Sequence, residues 1–294
     1  MLSGIINIDK EIRISSNKCV SLVRKALDMN KVGHTGTLDL EASGVLPIVI
    51  GKATRVSDYI MDEEKEYITE AVFGKRTDTL DWSGEVVDTS VKTISKEELM
   101  SKLKDFTGEI TQIPPMYSAI KVNGEKLYDL ARKGIEIERK RREVNIYEFE
   151  LLDFDFPKAK FRIKCSKGTY IRTLIDDLGE AMGTYAYVSS LVRSKVGDFY
   201  IEDAIKSQDL LDIPYDELIK KIKPVDFVLK NYDEIRLEKS YLKQATNGMT
   251  MRVDQKVSDD LVRVYVDEQF IGLGKNFDGN DEYFLKMEKV FYER

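Results

Sequence analysis

The order of strand-like and helix-like segments constrains the fold of this chain more than any other feature. Apolar or alternating runs predict strands at residues 5–8, 45–51, 67–73, 144–156 and 161–165. Apolar residues at helical spacing predict helices at residues 96–106, 125–132 and 170–182, and one that includes Val20, Val23 and Leu27. Because these segments interleave without regular strand–helix–strand repeats, the sequence predicts an α+β fold around a mixed or antiparallel sheet.

The pattern changes near residue 225, after which short strand-like runs dominate. They lie at residues 262–266, 270–273 and 283–287, with glycines between them. A chain of 294 residues is long enough for two domains. We therefore expect a main domain at residues 1–228 and a small β-rich domain at residues 229–294. The segment between them is not rich in proline or glycine, so we expect the two domains to pack together.

Composition excludes several classes of protein. The two cysteines, Cys19 and Cys165, are too few for a disulfide scaffold or a Cys-rich zinc site. No apolar run reaches the length of about 18 residues that a membrane span needs. The first residues lack the basic segment and apolar run of a secretion signal. We therefore expect a cytoplasmic protein that has no membrane partner.

Charge is unevenly distributed along the chain. The net charge of −6 by itself argues mildly against nucleic acid as a partner. Residues 61–110 and 201–294 carry net charges of −6 and −5, whereas residues 1–60 and 111–200 carry +2 and +3. The densest basic run is Arg139-Lys140-Arg141-Arg142. Two interpretations of this run remain open, a phosphate contact and a solvated turn.

The most unusual segment spans residues 32–55. Glycines there surround one carboxylate, Asp39, and the only histidine of the chain, His34. Glycines allow tight turns and close approach of a ligand, so Asp39 is either a reactive carboxylate or an ordinary turn residue. His34 has no partners at metal-ligand spacing, and we expect no metal site. The glycine spacing fits neither a P-loop nor a dinucleotide fingerprint, so we expect no nucleotide cofactor.

This segment resembles the catalytic motif of the TruB family of tRNA pseudouridine synthases. The similarity includes the runs Gly33 to Asp39, Ala42 to Pro47 and Gly51 to Arg55. Four further blocks resemble blocks of the family in the expected order, at residues 65–67 with 74–79, 112–124, 165–172 and 191–199. One block alone would be weak support, but five in order cover most of residues 1–200.

The resemblance implies an enzyme that isomerises the uridine at position 55 in the T loop of tRNA, without a cofactor or metal. It implies that Asp39 is the essential nucleophile or base and that Arg172 pairs with its carboxylate. It also implies that Tyr67 stacks on the target base, and Tyr67 is a candidate for late proton transfer. Three chemical roles of Asp39 remain open, namely attack at C6 of the base, attack at C1′ of the sugar and removal of the 2′ proton.

The resemblance further implies a set of substrate-binding residues. Tyr170 and Leu191 would line the pocket, and His34 would enter the RNA stem-loop beside the extruded nucleotides. Asp81 aligns with a polar residue near the site. Lys195, in the last block, is a further candidate for substrate binding.

Two departures from the family pattern concern loops. The residue after the aspartate is usually proline and here is Leu40, which loosens the backbone at that position. The family's Lys-Pro-x-Gly-x-Thr-Ser block is here Lys10-Glu11-Ile12-Arg13-Ile14-Ser15-Ser16, without its proline and glycine. The turn before the first helix is therefore expected to differ from that of the family.

Two other functions and the role of the C-terminal domain remain to be considered. The chain could be a non-catalytic protein that binds tRNA and helps it fold. The guide-RNA-dependent relatives of the family are disfavoured, because the long basic extensions expected of them are missing. The C-terminal domain resembles a PUA-like module that would contact the acceptor stem, or it only braces the first domain. We expect a monomer whose partner is the T stem-loop of tRNA.

Overall fold

The computed structural model describes residues 2–122, 124–254, 256–258, 260–279 and 282–292. Asn123, within the block at residues 112–124, lies outside the described residues. The helices are α1 (Ser16–Leu27), α2 (Ser57–Asp62), α3 (Lys96–Leu103), α4 (Leu127–Arg132), α5 (Ile171–Met182), α6 (Tyr215–Lys220) and α7 (Leu242–Thr246). The strands are β1 (Gly4–Lys10), β2 (Val32–His34), β3 (Ser43–Ile50), β4 (Lys65–Phe73), β5 (Lys75–Thr77), β6 (Val86–Thr89), β7 (Gly108–Gln112), β8 (Lys121–Val122), β9 (Glu125–Lys126), β10 (Arg142–Asp155), β11 (Lys158–Cys165), β12 (Ala186–Val196), β13 (Phe199–Tyr200), β14 (Ile205–Lys206), β15 (Glu234–Leu237), β16 (Thr250–Val253), β17 (Leu261–Val266), β18 (Gln269–Gly279) and β19 (Glu282–Val290).

The main sheet contains ten strands of the described chain, eight of them in the order β14-β1-β3-β12-β4-β11-β10-β7. The remaining two, β2 and β13, pair with β3 and β12. β1 and β14 are parallel, as are β3 and β12. The long central pairs, such as β12 with β4 and β10 with β11, are antiparallel. The predicted α+β fold around a mixed sheet is therefore confirmed.

Helix ends follow local sequence signals. Ser15 caps α1 by accepting a hydrogen bond from the Lys18 N–H, and Ser95 with Glu98 forms the expected capping box of α3. The helix expected at residues 125–132 begins only at Leu127. Gly124 has a φ of +90°, which turns β8 into β9 as a short hairpin before α4 can start.

The C-terminal part of the chain forms a second sheet in the order β15-β17-β18-β19-β16. The expected strands lie within β17, β18 and β19, so the β-rich character of this part is confirmed. Leu273 and Phe291 of this part are buried in one apolar cluster with Ile5, Val45 and Val49 of the main sheet. The two sheets therefore share apolar contacts, whereas the division between residues 228 and 229 stays a prediction.

None of the helices in the described part of the chain is long and apolar enough to cross a bilayer.

Candidate active site

Asp39 lies in the loop between β2 and β3. Gly44, at a φ of +104°, packs so closely on β12 that an added Cβ would lie 2.2 Å from the Arg193 carbonyl oxygen. On the other side, the Leu38 N–H donates to Ser16 Oγ (3.0 Å), and Ser16 Oγ donates to the Leu38 carbonyl (3.2 Å). The loop is thus held on both sides of Asp39, whose side chain remains 38% exposed.

The partner of Asp39 is Arg172, in the first turn of α5. Its Nε lies 2.8 Å from Asp39 Oδ2, and its side chain is only 5% exposed. The Nε–H is not aligned with this oxygen, so the contact is an ion pair rather than a hydrogen bond. Nη1 donates to the Thr79 carbonyl (2.8 Å) and Nη2 to the Tyr117 carbonyl (2.7 Å). These two bonds fix the guanidinium, which places a positive charge beside the carboxylate.

Asp81 is the second carboxylate beside the same guanidinium. Its Oδ2 is 3.6 Å from Arg172 Nη1, and its side chain is 10% exposed. Its Oδ1 accepts hydrogen bonds from Thr79 Oγ1 (2.8 Å), the Ser83 N–H (3.0 Å) and Ser83 Oγ (2.6 Å). Arg172 therefore lies between two carboxylates, of which one is exposed and the other is buried and hydrogen-bonded.

A cleft brings four of the sequence-predicted residues together. Asp39, Arg172, Asp81 and Leu191 all line it. The other residues that line the cleft were not singled out from the sequence, and they are Glu41, Ala42, Trp82, Val188 and Ser190. Trp82 is the only tryptophan of the chain and directly follows Asp81, which is a signal that could have identified it.

Tyr67 lies on β4 directly opposite Arg193 of β12. Burial raises the pKa of the Tyr67 phenol, and the nearby Arg193 charge opposes that rise. The phenol is therefore protonated at neutral pH. Tyr67 is not among the residues that line the cleft of Asp39.

Arg193 is a buried cation that sequence reasoning missed. Its Nε donates to the Val45 carbonyl of β3 (2.7 Å) and its Nη2 to the Gly36 carbonyl of the Asp39 loop (3.4 Å), so it contacts the chain on both sides of Asp39. Arg193 lies within the last of the five sequence blocks, at residues 191–199. Its contact with residues about 150 positions earlier depends on the pairing of β12 with β3 and β4.

Tyr170 and His34 are not among the residues that line the cleft of Asp39. The Tyr170 N–H donates to Gln112 Oε1 (3.1 Å), and the Arg142 guanidinium lies 5.4 Å from the centre of the Tyr170 ring. Burial lowers the pKa of His34, and the charge of Arg193 lowers it further. His34 is therefore neutral at pH 7, which agrees with a stacking role rather than a charged one.

Lys195 is engaged elsewhere. Its Nζ lies 3.7 Å from Glu64 Oε1 and 5.0 Å from the centre of the Tyr200 ring. The fold therefore does not bring it to the cleft of Asp39, and its role in substrate binding stays a prediction.

Across the described ranges, no group of three or more His, Cys, Asp or Glu side chains is arranged to hold a metal ion.

Comparison with family models gives two matches. The N-terminal domain model of TruB family pseudouridylate synthases matches residues 24–171. The model of the tRNA pseudouridylate synthase B C-terminal domain matches residues 172–230. The second sheet, which begins at Glu234, lies beyond both matches.

Curated relatives and solved structures align over nearly the whole chain. The tRNA pseudouridine synthase B of Clostridium kluyveri is 42% identical and covers 99% of this chain and 100% of its own. That of Clostridium acetobutylicum is 44% identical over 93% of this chain and 95% of its own. A protein chain in an H/ACA RNP bound to a substrate RNA containing 2′-deoxyuridine is 26% identical, with a TM-score of 0.73, over 99% of this chain and 86% of that one. A chain of a Cbf5-Nop10-Gar1 complex is 27% identical, also with a TM-score of 0.73, over 98% and 85%.

Proposed function

Because this chain belongs to the TruB family of pseudouridylate synthases, we propose that it isomerises the T-loop uridine at position 55 of tRNA through Asp39. Its activity as a pseudouridine synthase that acts on tRNA follows from its full-length similarity to enzymes of that name. The target position and the role of Asp39 are the finer parts of the proposal. The observation that supports the role of Asp39 is its ion pair, as an accessible carboxylate, with a buried, fixed arginine. The target position rests on the resemblance of the sequence blocks to the family.

The reaction sets clear requirements for the site. The N1–C1′ bond of uridine breaks, the base turns, and a C5–C1′ bond forms. The proton on C5 leaves to solvent and N1 gains a proton, so atoms balance without a cofactor. The protein must therefore supply a reactive carboxylate, a proton acceptor and donor, and an enclosed space for the detached base. Attack of Asp39 at C6, attack at C1′ and removal of the 2′ proton all need the same exposed carboxylate.

Arg172 and Asp81 orient Asp39 in this proposal. The guanidinium is fixed by two carbonyl oxygens, so Asp39, which lines the cleft, meets a positive charge at a constant position. Asp81 balances part of that charge. Removal of the arginine would leave Asp81 buried without its cation.

Tyr67 and the remaining residues handle the base and the RNA. Because the Tyr67 phenol is protonated at neutral pH, it is suited to donate a proton late in the reaction, and its ring is suited to stack on uracil. Leu191 lines the cleft and would pack on the base. Neutral His34 and the ring of Tyr170 would stack on loop nucleotides.

The direct test is Asp39→Asn. We expect it to abolish tritium release from tRNA that carries 5-tritiated uridine, while the dissociation constant for tRNA stays nearly unchanged. Asp62→Asn is the matched control, because this carboxylate is exposed and pairs with Lys167 on the surface. A fully active Asp39→Asn protein would exclude Asp39 from the chemistry. Chemical mapping of the product outside the T loop would contradict the substrate position.

The monomeric state, the cytoplasmic location and a PUA-like role of residues 229–294 in RNA contact stay predictions.

A further inference from the structure

Beside the cleft of Asp39 lies an exposed lip formed by Arg13, Leu40 and Trp82. Leu40 is 47% exposed and Trp82 40% exposed, although both are large apolar residues. The Arg13 guanidinium lies 5.6 Å from the centre of the Trp82 ring, so a cation and an indole stack at the surface. An exposed aromatic and aliphatic surface at a cleft mouth is typical of a ligand contact.

The lip is held in place by backbone contacts. The Arg13 N–H donates to the Leu40 carbonyl (2.7 Å), and the Trp82 N–H donates to the Val188 carbonyl on β12 (2.9 Å). Arg13 has a φ of +64° and Leu80, two residues before Trp82, a φ of +63°. Non-glycine residues adopt this conformation at a cost that the surrounding structure must offset, and such positions concentrate at functional sites.

The lip is continuous with the candidate active site. Leu40 directly follows Asp39, and Trp82 directly follows Asp81. Trp82 lines the same cleft as Asp39 and Arg172. A nucleotide whose base reaches Asp39 therefore brings its neighbour in the RNA chain to the lip.

The chemistry of the lip favours a nucleobase as its occupant. Arg13 is exposed beside the Trp82 ring, so its charge is accessible to an anionic chain. Aromatic rings and arginine planes both stack on unpaired bases. Two of the three residues stand where the chain departs from the family pattern: Leu40 replaces the usual proline, and Arg13 occupies the place of the glycine.

We propose that Arg13, Leu40 and Trp82 form a stacking subsite for one unpaired nucleobase next to the target uridine. The subsite rests on the proposed function, because it assumes an RNA substrate whose uridine reaches Asp39.

The single tryptophan makes the subsite directly observable. We expect a T stem-loop RNA to quench the Trp82 fluorescence on binding. Two otherwise identical RNAs carry an abasic residue, one on the 5′ side of the target and the other on the 3′ side. The RNA that lacks the stacked base should bind without this quenching. Unchanged fluorescence on saturation with the intact RNA, or equal quenching by the intact RNA and both abasic RNAs, would overturn the proposal.

Variants give an independent readout through the dissociation constant of labelled RNA. Trp82→Ala should weaken binding of the intact RNA about tenfold, and should have no further effect on the abasic RNA that lacks the stacked base. Trp82→Phe, which keeps a ring, should stay close to wild type, and Arg13→Asn, which tolerates the same φ, should show a smaller loss. If Trp82→Ala fails to fold, Trp82→Leu replaces it in the same comparison. Equal losses on all three RNAs would indicate a purely structural role and contradict the subsite.

Two controls separate this proposal from the proposed function. Tyr283→Ala removes an exposed aromatic residue of the second sheet and should leave the dissociation constant unchanged. The quenching is also measured with Asp39→Asn protein, which binds but does not react. A fully active Asp39→Asn protein contradicts the catalytic role, whereas an active wild type without any Trp82 response contradicts only the subsite.

Discussion

At the residue scale, the orientation of Asp39 depends on a buried arginine that four oxygen atoms surround. Arg172 contacts carboxylate oxygens of Asp39 and Asp81, and it donates to the carbonyls of Thr79 and Tyr117. The planar guanidinium suits this arrangement, because its donors point in several fixed directions at once. An ammonium group carries the same charge but cannot contact all four oxygens.

We predict that Arg172→Lys lowers the single-turnover rate of tritium release about 100-fold. A lysine makes at least one charge-assisted hydrogen bond fewer than the arginine, and it no longer holds Asp39 in the same orientation. The dissociation constant for tRNA should change little, since the guanidinium is buried and faces protein oxygens. Arg162→Lys is the matched control, an exposed arginine paired with Glu150. An equal loss in both variants, or weaker tRNA binding as the main effect, would contradict the orienting role.

At the element scale, α5 combines the arginine of the site with two acidic residues, the buried Asp176 and the half-buried Asp177. Burial raises the pKa of both Asp176 and Asp177 to about 6, from a usual value of 3.8. Asp176 forms an ion pair with Arg76 of β5 (2.6 Å), which ties α5 to the segment that leads to Thr79 and Asp81. The helix therefore contributes to the site at a cost in stability at neutral pH.

Because the folded-state pKa of Asp177 lies above its unfolded value, its stabilising contribution is complete below about pH 4 and is lost as the pH rises through 6. We predict that Asp177→Asn raises the free energy of unfolding by about 1–2 kcal/mol at pH 7.5 and by much less at pH 4. Urea unfolding followed by tryptophan fluorescence at both pH values measures this difference. Glu109→Gln, at an exposed position of β7, is the control. A gain of equal size at both pH values would argue against titration of Asp177.

At the scale of the whole molecule, the acidic total conceals a division between segments. Most residues that line the cleft belong to the Asp39 loop, α5 and β12, which lie in the segments 1–60 and 111–200 with net charges of +2 and +3. Asp81 and Trp82 also line the cleft, but they come from the acidic segment 61–110. The basic run extends toward this region, because Arg142 lies over the Tyr170 ring and Arg139 donates to the Pro114 carbonyl. Lys140 and Arg141, between them, are exposed.

We predict that Lys140→Glu combined with Arg141→Glu weakens tRNA binding and lowers the slope of log K against log salt by about 1–2, because up to two phosphate contacts are lost. Arg139 and Arg142 are kept because they have protein partners. Lys220→Glu with Lys221→Glu is the matched control, an exposed pair in the acidic segment 201–294. An unchanged salt slope would assign the basic run to a solvated turn.

Local patterns explain why much of the fold was predictable. The capping box of Ser95 and Glu98, the strand alternation of β4 and the apolar spacing of α5 each involve neighbours in sequence. The start of α4 was predicted two residues too early, because the hairpin at Gly124 competes with helix formation there.

The sequence by itself determined the α+β class, the β-rich C-terminal part, the family, and a glycine-rich loop around one aspartate. Only the tertiary structure decided that Arg172 faces both Asp39 and Asp81, that Arg193 holds the loop of Asp39, and that Trp82 lines its cleft. The reason is physical: periodicity and capping act over a few residues. The geometry of the site depends instead on the register between β12, β3 and β4 and on the docking of α5. The contacts of Arg193 with Val45 and of Arg172 with Asp39 join residues more than 100 positions apart in the chain.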